Sequence, residues 1–443
     1  MKCYSGWSYH PYAPLTEKTE NPVIVRLAPL EDGIRFEFID RKPASEYTAV
    51  INLFETETRQ TISISSFQSE VHGLESNAEY ELTIRTRDGR ASLPRRFRTG
   101  FVPGVVVNYL HPEDPAYAFS GRYLCSPSVV RLPSGALLCS MDLFGHTTPQ
   151  NLELLFRSDD DGETWHYVTD IMPCFWGRLF VHREKLYMLG ISNEYGDVLI
   201  GRSDDEGVTW GTPTVLLRGS ACTSERGCHR APMRILPYRG RLWTALEYGA
   251  WNKKRFSAGA LSAAEDADLL DVNAWSVTDF AEIDPAWLGL PGGEFCAAIE
   301  GNMVEGPDGG LYSLMRCRAG QALLLRYDAD NPDAAPVYVR TVDFPMAHSK
   351  FEVLRNPDGV YLAVGNRLPL RNILSVYTSR DLISWEFVRD IENRETMDEK
   401  KTAFQYPTAF LENNTLYVVS RTAYNGAASF HDSNFTTFYR VEL

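Results

Sequence analysis

The sequence predicts an all-β protein in two parts: a small β-sandwich, then a ring of repeated four-stranded units, a β-propeller. Three observations carry this. The stretch Arg157-Ser-Asp-Asp-Asp-Gly-Glu-Thr-Trp165 returns 45 residues later as Arg202-Ser-Asp-Asp-Glu-Gly-Val-Thr-Trp210, and a fixed period of that size marks a repeat architecture. Short apolar alternations recur along residues 105–443, most of them broken by a Gly, Pro or Asn turn. The 443-residue chain is 12% aromatic and long enough to bury a large core.

The elements follow in order. Residues 1–20 hold prolines and aromatics without periodicity and read as an arm. Residues 21–100 carry strand candidates at Val23–Leu27, Ile34–Phe38, Tyr47–Leu53 and Thr61–Ile64. In Gly73-Leu-Glu-Ser-Asn-Ala-Glu-Tyr80, Leu74 and Tyr80 stand six apart before a strand alternating Leu82 and Ile84. This resembles the tyrosine corner of a fibronectin type III sandwich, and a spacer packed on the larger domain is its expected role. Residues 105–443 divide into six units opening near Ser126, Gly177, His229, Glu300, Lys350 and Gln405. Val105–Leu110 is expected to close the ring on the last unit. Seven units are the alternative if residues 105–123 supply more than one strand. An insertion at Ala264–Phe295, with a helix-like piece at Glu265–Leu270, is expected as a loop over one face.

In the repeated motif, Ser and Asp bond nearby backbone N–H groups and hold a turn. Gly takes positive φ, and Trp plugs the gap between units. A worn copy follows at Ser379–Trp385, without the Gly. These motifs resemble the Asp-boxes, or BNR repeats, of the sialidase superfamily. The box implies a fold and not a chemistry.

Composition narrows the partners. Forty-four basic residues face 58 acidic ones, a formal charge of −14. That argues against nucleic acid and anionic membranes. Met1–Trp7 has no apolar core of a signal peptide, and no run is long enough to span a bilayer. The eight cysteines are scattered, and Cys222 with Cys228 completes no zinc pattern. A cytoplasmic protein with reduced thiols, and with no metal or cofactor, is the expectation.

The richest stretch for chemistry is Ile299–Arg316. Glu300 opens one strand and Arg316 ends the next, so a hairpin brings them to one rim. The stretch resembles the sialidase pattern E-x-x-V-V-E-x-x-D-G-x-L-Y-x-x-x-R. The resemblance implies that Glu300 polarises a tyrosine nucleophile and that Arg316 grips a substrate carboxylate. Tyr406, in Gln405-Tyr-Pro-Thr, stands where that tyrosine would be, and a phenol of pKa about 10 needs such a carboxylate base. Arg371 resembles a further clamp arginine. Where sialidases open with R-I-P this chain has Leu124-Cys-Ser-Pro, so Cys125 replaces the first arginine.

That loss predicts a two-arginine grip, better suited to a uronate than to sialic acid. Asp142 and His229 are the candidates for acid/base work. Lys350, Asn366, Arg421 and His431 are further substrate-binding candidates, placed at strand ends. The last set resembles a sialidase-fold branch that cleaves rhamnose from glucuronate, some members by elimination. The expected function is release of a terminal sugar from a small acidic oligosaccharide by a glycoside hydrolase. A lyase is the first alternative and a non-catalytic glycan-binding propeller the second.

Overall fold

The computed structural model describes residues 9–10, 12–220, 225–291, 297–318, 320–367 and 370–443. Residues 1–8 of the arm, Cys3, Cys222, Cys296 and the end of the insertion lie outside them. Strands Val23–Pro29, Gly33–Ile39 and Gln68–His72 form one sheet of the sandwich. Arg59–Ile64, Tyr47–Leu53, Glu79–Thr86 and Arg95–Arg98 form the other. The Tyr80 hydroxyl accepts the Glu75 N–H at 2.9 Å, and Leu74 and Tyr80 both enter the core.

Six sheets make the ring. Blade 1 comprises Ser128–Arg131, Leu137–Phe144, Glu153–Ser158 and His166–Ile171. Blade 2 is Phe175–His182, Lys185–Ile191, Val198–Ser203 and Thr214–Leu217. Blade 3 is built on the long hairpin Arg241–Ala250 and Arg255–Ala264. Blade 4 is Ile299–Glu305, Leu311–Arg318, Gln321–Tyr327 and Val337–Asp343. Blade 5 is Glu352–Arg355, Tyr361–Asn366, Ile373–Ser379 and Glu386–Asn393. Blade 6 takes Ala403–Glu412, Thr415–Ala423 and Phe435–Glu442 from the end of the chain, and Val105–Tyr109 from its beginning closes the ring. The two-residue strand Tyr123–Leu124 only extends blade 1, so no seventh sheet forms among the described residues.

The expected helical piece at Glu265–Leu270 is absent. The segment runs through turns, and short strands at Trp275–Val277 and Ala281–Glu282 return to pair with blade 3. Asp266, Asp268 and Asp271 crowd that stretch, and Asp caps short turns better than it extends a helix.

The repeated motifs occupy equivalent turns between third and fourth strands. The Ser158 Oγ–H donates to Asp160 at 2.8 Å, and the Thr164 N–H donates to the same carboxylate at 2.8 Å. The second copy repeats this with Ser203, Asp205 and Thr209 at 2.8 and 2.9 Å. Gly162 and Gly207 sit at φ 96° and 99°. Trp165 Nε1–H donates to the Gly162 carbonyl at 3.1 Å and Trp210 Nε1–H to Gly207 at 3.0 Å. Trp165 packs edge-on against Phe438 of blade 6, and Trp210 against Leu138 of blade 1. In the worn copy Leu382 carries the positive φ, 64°, and Trp385 meets Phe344 beside blade 4. Each Trp therefore fills the seam to the preceding blade.

The sandwich is tied to the ring by buried hydrogen bonds. Arg26 Nε–H donates to the Val107 carbonyl at 2.7 Å. Glu37 accepts the Tyr167 N–H at 2.8 Å, and Arg95 pairs with the buried Asp114. A cleft of about 570 Å³ lies along this junction, away from the residues singled out for chemistry.

Candidate active site

Three blades share a backbone irregularity at the start of the first strand. In blade 2 the pairing runs from Phe175↔Ile191 to Arg178↔Leu189. Blade 4 runs from Ile299↔Arg316 to Asn302↔Leu314, and blade 6 from Gln405↔Arg421 to Thr408↔Val419. Each first strand carries one extra residue there, a β-bulge that re-aims side chains. The residue after the first pair takes positive φ in all three: Trp176 at 51°, Glu300 at 58° and Tyr406 at 52°. Such conformations cost about 1–3 kcal/mol for a side-chain-bearing residue and tend to sit at functional sites.

The bulges bring Glu300 and Tyr406 together. The Tyr406 O–H donates to Glu300 Oε1 at 2.8 Å. Arg316 Nη1–H donates to Glu300 Oε2 at 2.9 Å and to the Tyr406 hydroxyl oxygen at 2.9 Å. Arg371 lies alongside, donating to Gln405 Oε1 at 2.6 Å and the His348 carbonyl at 3.3 Å. Glu300, Arg316, Arg371 and Tyr406 therefore converge, as their strand-end positions predict.

The arginine count does not follow the sequence reading. Arg421 occupies the space beside Cys125, its Nη1 3.0 Å from the Cys125 sulfur and its guanidinium 5.3 Å from the centre of the Tyr406 ring. It also donates to the His431 carbonyl. Three arginines therefore surround Tyr406, two of them partly exposed. The signal was present: Arg421 pairs with the residue before the blade 6 bulge just as Arg316 does in blade 4. Arg421 is buried, whereas Arg316 and Arg371 keep partial exposure.

The electrostatics follow from these contacts. Burial, then Glu300, push the Tyr406 phenol up to about 12, while Arg316, Arg371 and Arg421 pull it back. Burial also works to raise the Glu300 carboxyl, but Arg316 outweighs it and holds Glu300 below its ordinary range. Burial, with the like charge of Arg316, draws Arg371 down to about 10.

Four candidates are placed otherwise than expected. Asp142 lies inside the second strand of blade 1, not beyond it, and is fully buried. It accepts the N–H groups of Ser126 and Trp176, each at 2.7 Å, which makes it a brace under the Trp176 bulge. His229 does not face solvent. It is buried against Trp176, ring centres 4.6 Å apart, with Nδ1 3.2 Å from Glu247. Lys350 is buried among the first strands, bonding the Pro407 carbonyl and Glu352. The Asn366 amide donates to the carbonyls of Arg371, Ile373 and Phe404 at 3.0, 2.9 and 2.6 Å. It shapes the chain that carries Arg371 rather than touching a ligand. Burial explains all four: a strand end in a propeller can point into the packed axis as readily as into the pocket.

His431 stays at the rim. Its ring packs 5.0 Å from Phe144 and bonds Asp432 at 3.0 Å. His146, His431 and Asp432 place ligand atoms within 4.8 Å of one another, a set able to hold a metal ion. The neighbouring Arg421 works against a cation there, and it is the main reason the His431 imidazole falls to about 4.

Two residues at the site carried no recognised motif. Trp176 is the blade 2 counterpart of Glu300 and Tyr406, detectable through the shared offset before Gly177, Gly301 and Pro407. His348 precedes Lys350. Both of its ring nitrogens are buried without a hydrogen-bond partner. Burial and the charges of Arg371 and Arg316 lower its imidazole to about 4.

Comparison with known proteins gives the same architecture. The α-L-arabinanase of Penicillium chrysogenum superposes with a TM-score of 0.51 at 15% identity, over 77% of this chain and 98% of that one. The NanB sialidase of Streptococcus pneumoniae gives 0.50 at 11% identity, over 99% and 98%. The leech intramolecular trans-sialidase gives 0.51 at 10% identity, over 98% and 93%. Identities this low speak for fold alone. No curated protein sequence matches the chain significantly. The model of the BNR repeat-like domain matches residues 186–419. That is more than half of the protein, and the chain belongs to the BNR repeat-like domain family.

Proposed function

We propose that the protein is an exo-acting glycoside hydrolase that releases a terminal, carboxylate-bearing sugar. One observation carries the reading: the Tyr406 hydroxyl is held between Glu300 and Arg316 at 2.8 and 2.9 Å. Glu300 accepts the phenol proton as the oxygen attacks the anomeric carbon, and the leaving oxygen departs from that carbon and takes a proton from water. Water then cleaves the tyrosyl–sugar bond. Arg316 and Arg371, partly exposed, hold the substrate carboxylate. Arg421, buried behind the ring, stabilises the tyrosinate through its field.

The geometry favours one carboxylate position. Arg316 bonds the nucleophile's own oxygen. A carboxylate gripped by the same guanidinium must lie beside the carbon under attack. A sugar with its carboxylate on the anomeric carbon, as in a sialoside, meets that condition. A uronate places its carboxylate across the ring oxygen.

A second reading, β-elimination from a uronate, is favoured by His348. His348 is neutral and stands near two arginines, and since both of its ring nitrogens are buried this reading requires the imidazole to turn toward the substrate. Incubation with sialoside- and glucuronide-capped oligosaccharides, read by mass and near-ultraviolet absorbance, separates the two. Free sialic acid without an absorbing product supports hydrolysis. An unsaturated uronate product supports elimination. Turnover of neither rejects both.

A further inference from the structure

A second cluster of charge lies on the axis of the ring, below the candidate active site. Arg178 stands on the first strand of blade 2, and Glu352 on that of blade 5, directly across the ring. They pair at 3.1 Å. Lys350 reaches the same carboxylate at 3.3 Å. Arg230 and Arg234, from the segment opening blade 3, lie within the field of Arg178. Arg178, Lys350 and Arg234 thus share Glu352, while Arg230 feels Glu247. Glu247, the carboxylate that acts on Arg230, also bonds His229 and the Gly301 N–H.

The burial makes this imbalance costly. Arg178 is 7% exposed, and Arg230, Lys350 and Glu352 are 0% exposed. An unpaired buried charge is strongly unfavourable, and a buried donor without an acceptor is costly too. Yet among the described residues Arg178 Nε and both Nε and Nη1 of Arg230 have no hydrogen-bond partner. The bonds Arg230 does make, to the Met233 carbonyl and Thr244 hydroxyl, are long at 3.3 and 3.4 Å. Burial first, then neighbouring positive charge, lowers Arg230 to about 9 and also lowers Arg234 and Lys350. Among the described residues Glu352 and Glu247 face these four cations, and Glu300, which also acts on Lys350, is taken up by Arg316.

We infer that the axis is a binding site for a small inorganic anion, held by Arg178, Arg230 and Arg234 with Lys350 behind them. Guanidinium N–H groups are matched to such ligands, and forks of them bind oxyanions in two-pronged fashion. Access comes from the face away from Tyr406. Arg234 lines a cleft of about 280 Å³ with Glu305, Arg355 and Asn356, at the far ends of the first strands. The anion acts as a structural pin between blades 2, 3 and 5. It stands apart from the proposed reaction, and its test needs no substrate.

The test uses the whole protein. Thermal unfolding is followed at constant ionic strength while sodium gluconate is replaced by chloride, bromide, phosphate or sulfate. A saturable rise in Tm with one or more of the small anions is expected, with the most effective one identifying the ligand class. Crystals soaked in bromide are expected to show an anomalous peak within hydrogen-bonding distance of Arg178 and Arg230. Arg230→Met is expected to flatten the anion dependence, and Arg234→Met, at the mouth of the site, to weaken it if the first variant does not fold. Equal Tm in all salts with no bromide peak overturns the inference. So does a peak that Arg234→Met leaves unchanged alongside an unchanged Tm response.

Discussion

The two ends of the blades solve different problems with the same repeat. At the outer turns, the motifs of blades 1 and 2 place the same residue types in the same geometry, with Ser-to-Asp bonds of 2.8 Å in both. At the pocket end, the bulges of blades 2, 4 and 6 share a backbone but present Trp176, Glu300 and Tyr406. The turn needs particular side chains to satisfy its own N–H groups, so its chemistry is local and repeats. The bulge needs only its extra residue and positive φ. The side chain it displays is left free for a task outside the strand. Uniformity marks structure here, and variation at an equivalent position marks function.

The largest expected effect is at a bulge. Tyr406→Phe removes the proposed nucleophile and leaves the fold, and turnover should fall at least about 10³-fold with an unchanged Tm. Glu300→Gln should fall about 10²–10⁴-fold, the range for a lost general base. If either variant loses Tm in step with activity, the bulge serves structure and the contrast fails.

Arg421 sharpens the comparison because it is buried yet assigned to chemistry. Arg421→Met should lower kcat more than it raises KM, by about 10–100-fold overall, the loss of one charge-assisted contact. Arg371→Met should act mainly on KM. A KM effect alone for Arg421→Met would show it gripping substrate directly.

Blade 1 offers a case of charge without chemistry. Asp142 and Glu153 face each other across adjacent strands, both fully buried. Burial, with Asp142 beside it, raises the Glu153 carboxyl, and Asp142 is raised as well, by burial first. Carboxyls raised on folding hold protons that the unfolded chain releases. Stability is therefore lost as pH climbs above the ordinary carboxylate range. Glu153→Gln should stabilise the protein at pH 8 by about 1–3 kcal/mol and have little effect near pH 4. A pH-independent change in denaturant midpoint would refute this.

The smallest effect belongs to the turns. Asp160→Ala should cost about 1–2 kcal/mol, as for loss of a capping carboxylate, with kcat/KM unchanged. Asp205→Ala should match it within about 0.5 kcal/mol. A clear inequality would show that the two turns are not equivalent.

Much of the fold was legible because its signals are local. The two motifs, the Gly73–Tyr80 corner and the Glu300–Arg316 hairpin each depend on residues near in sequence. The site was legible where it rests on strand starts, as for Glu300 and Tyr406. It was misread where burial decides. Lys350 and Asn366 stand at strand ends like Tyr406, yet they turn into the axis and into backbone carbonyls. Arg421 was a candidate from the sequence, but its place beside Tyr406 rests on its pairing opposite Gln405, a register that spacing alone does not give. His348 belongs to no repeat, and its unpartnered ring emerges only from packing.

The central claim is that Tyr406 forms a bond to the sugar. A sialosyl fluoride bearing a second fluorine at C3 slows hydrolysis of such a bond and lets it accumulate. Mass spectrometry of the digested protein should find one added sugar on the peptide containing Tyr406, and none in Tyr406→Phe. Steady turnover of a sialoside with no adduct, or an adduct on another residue, would contradict the account.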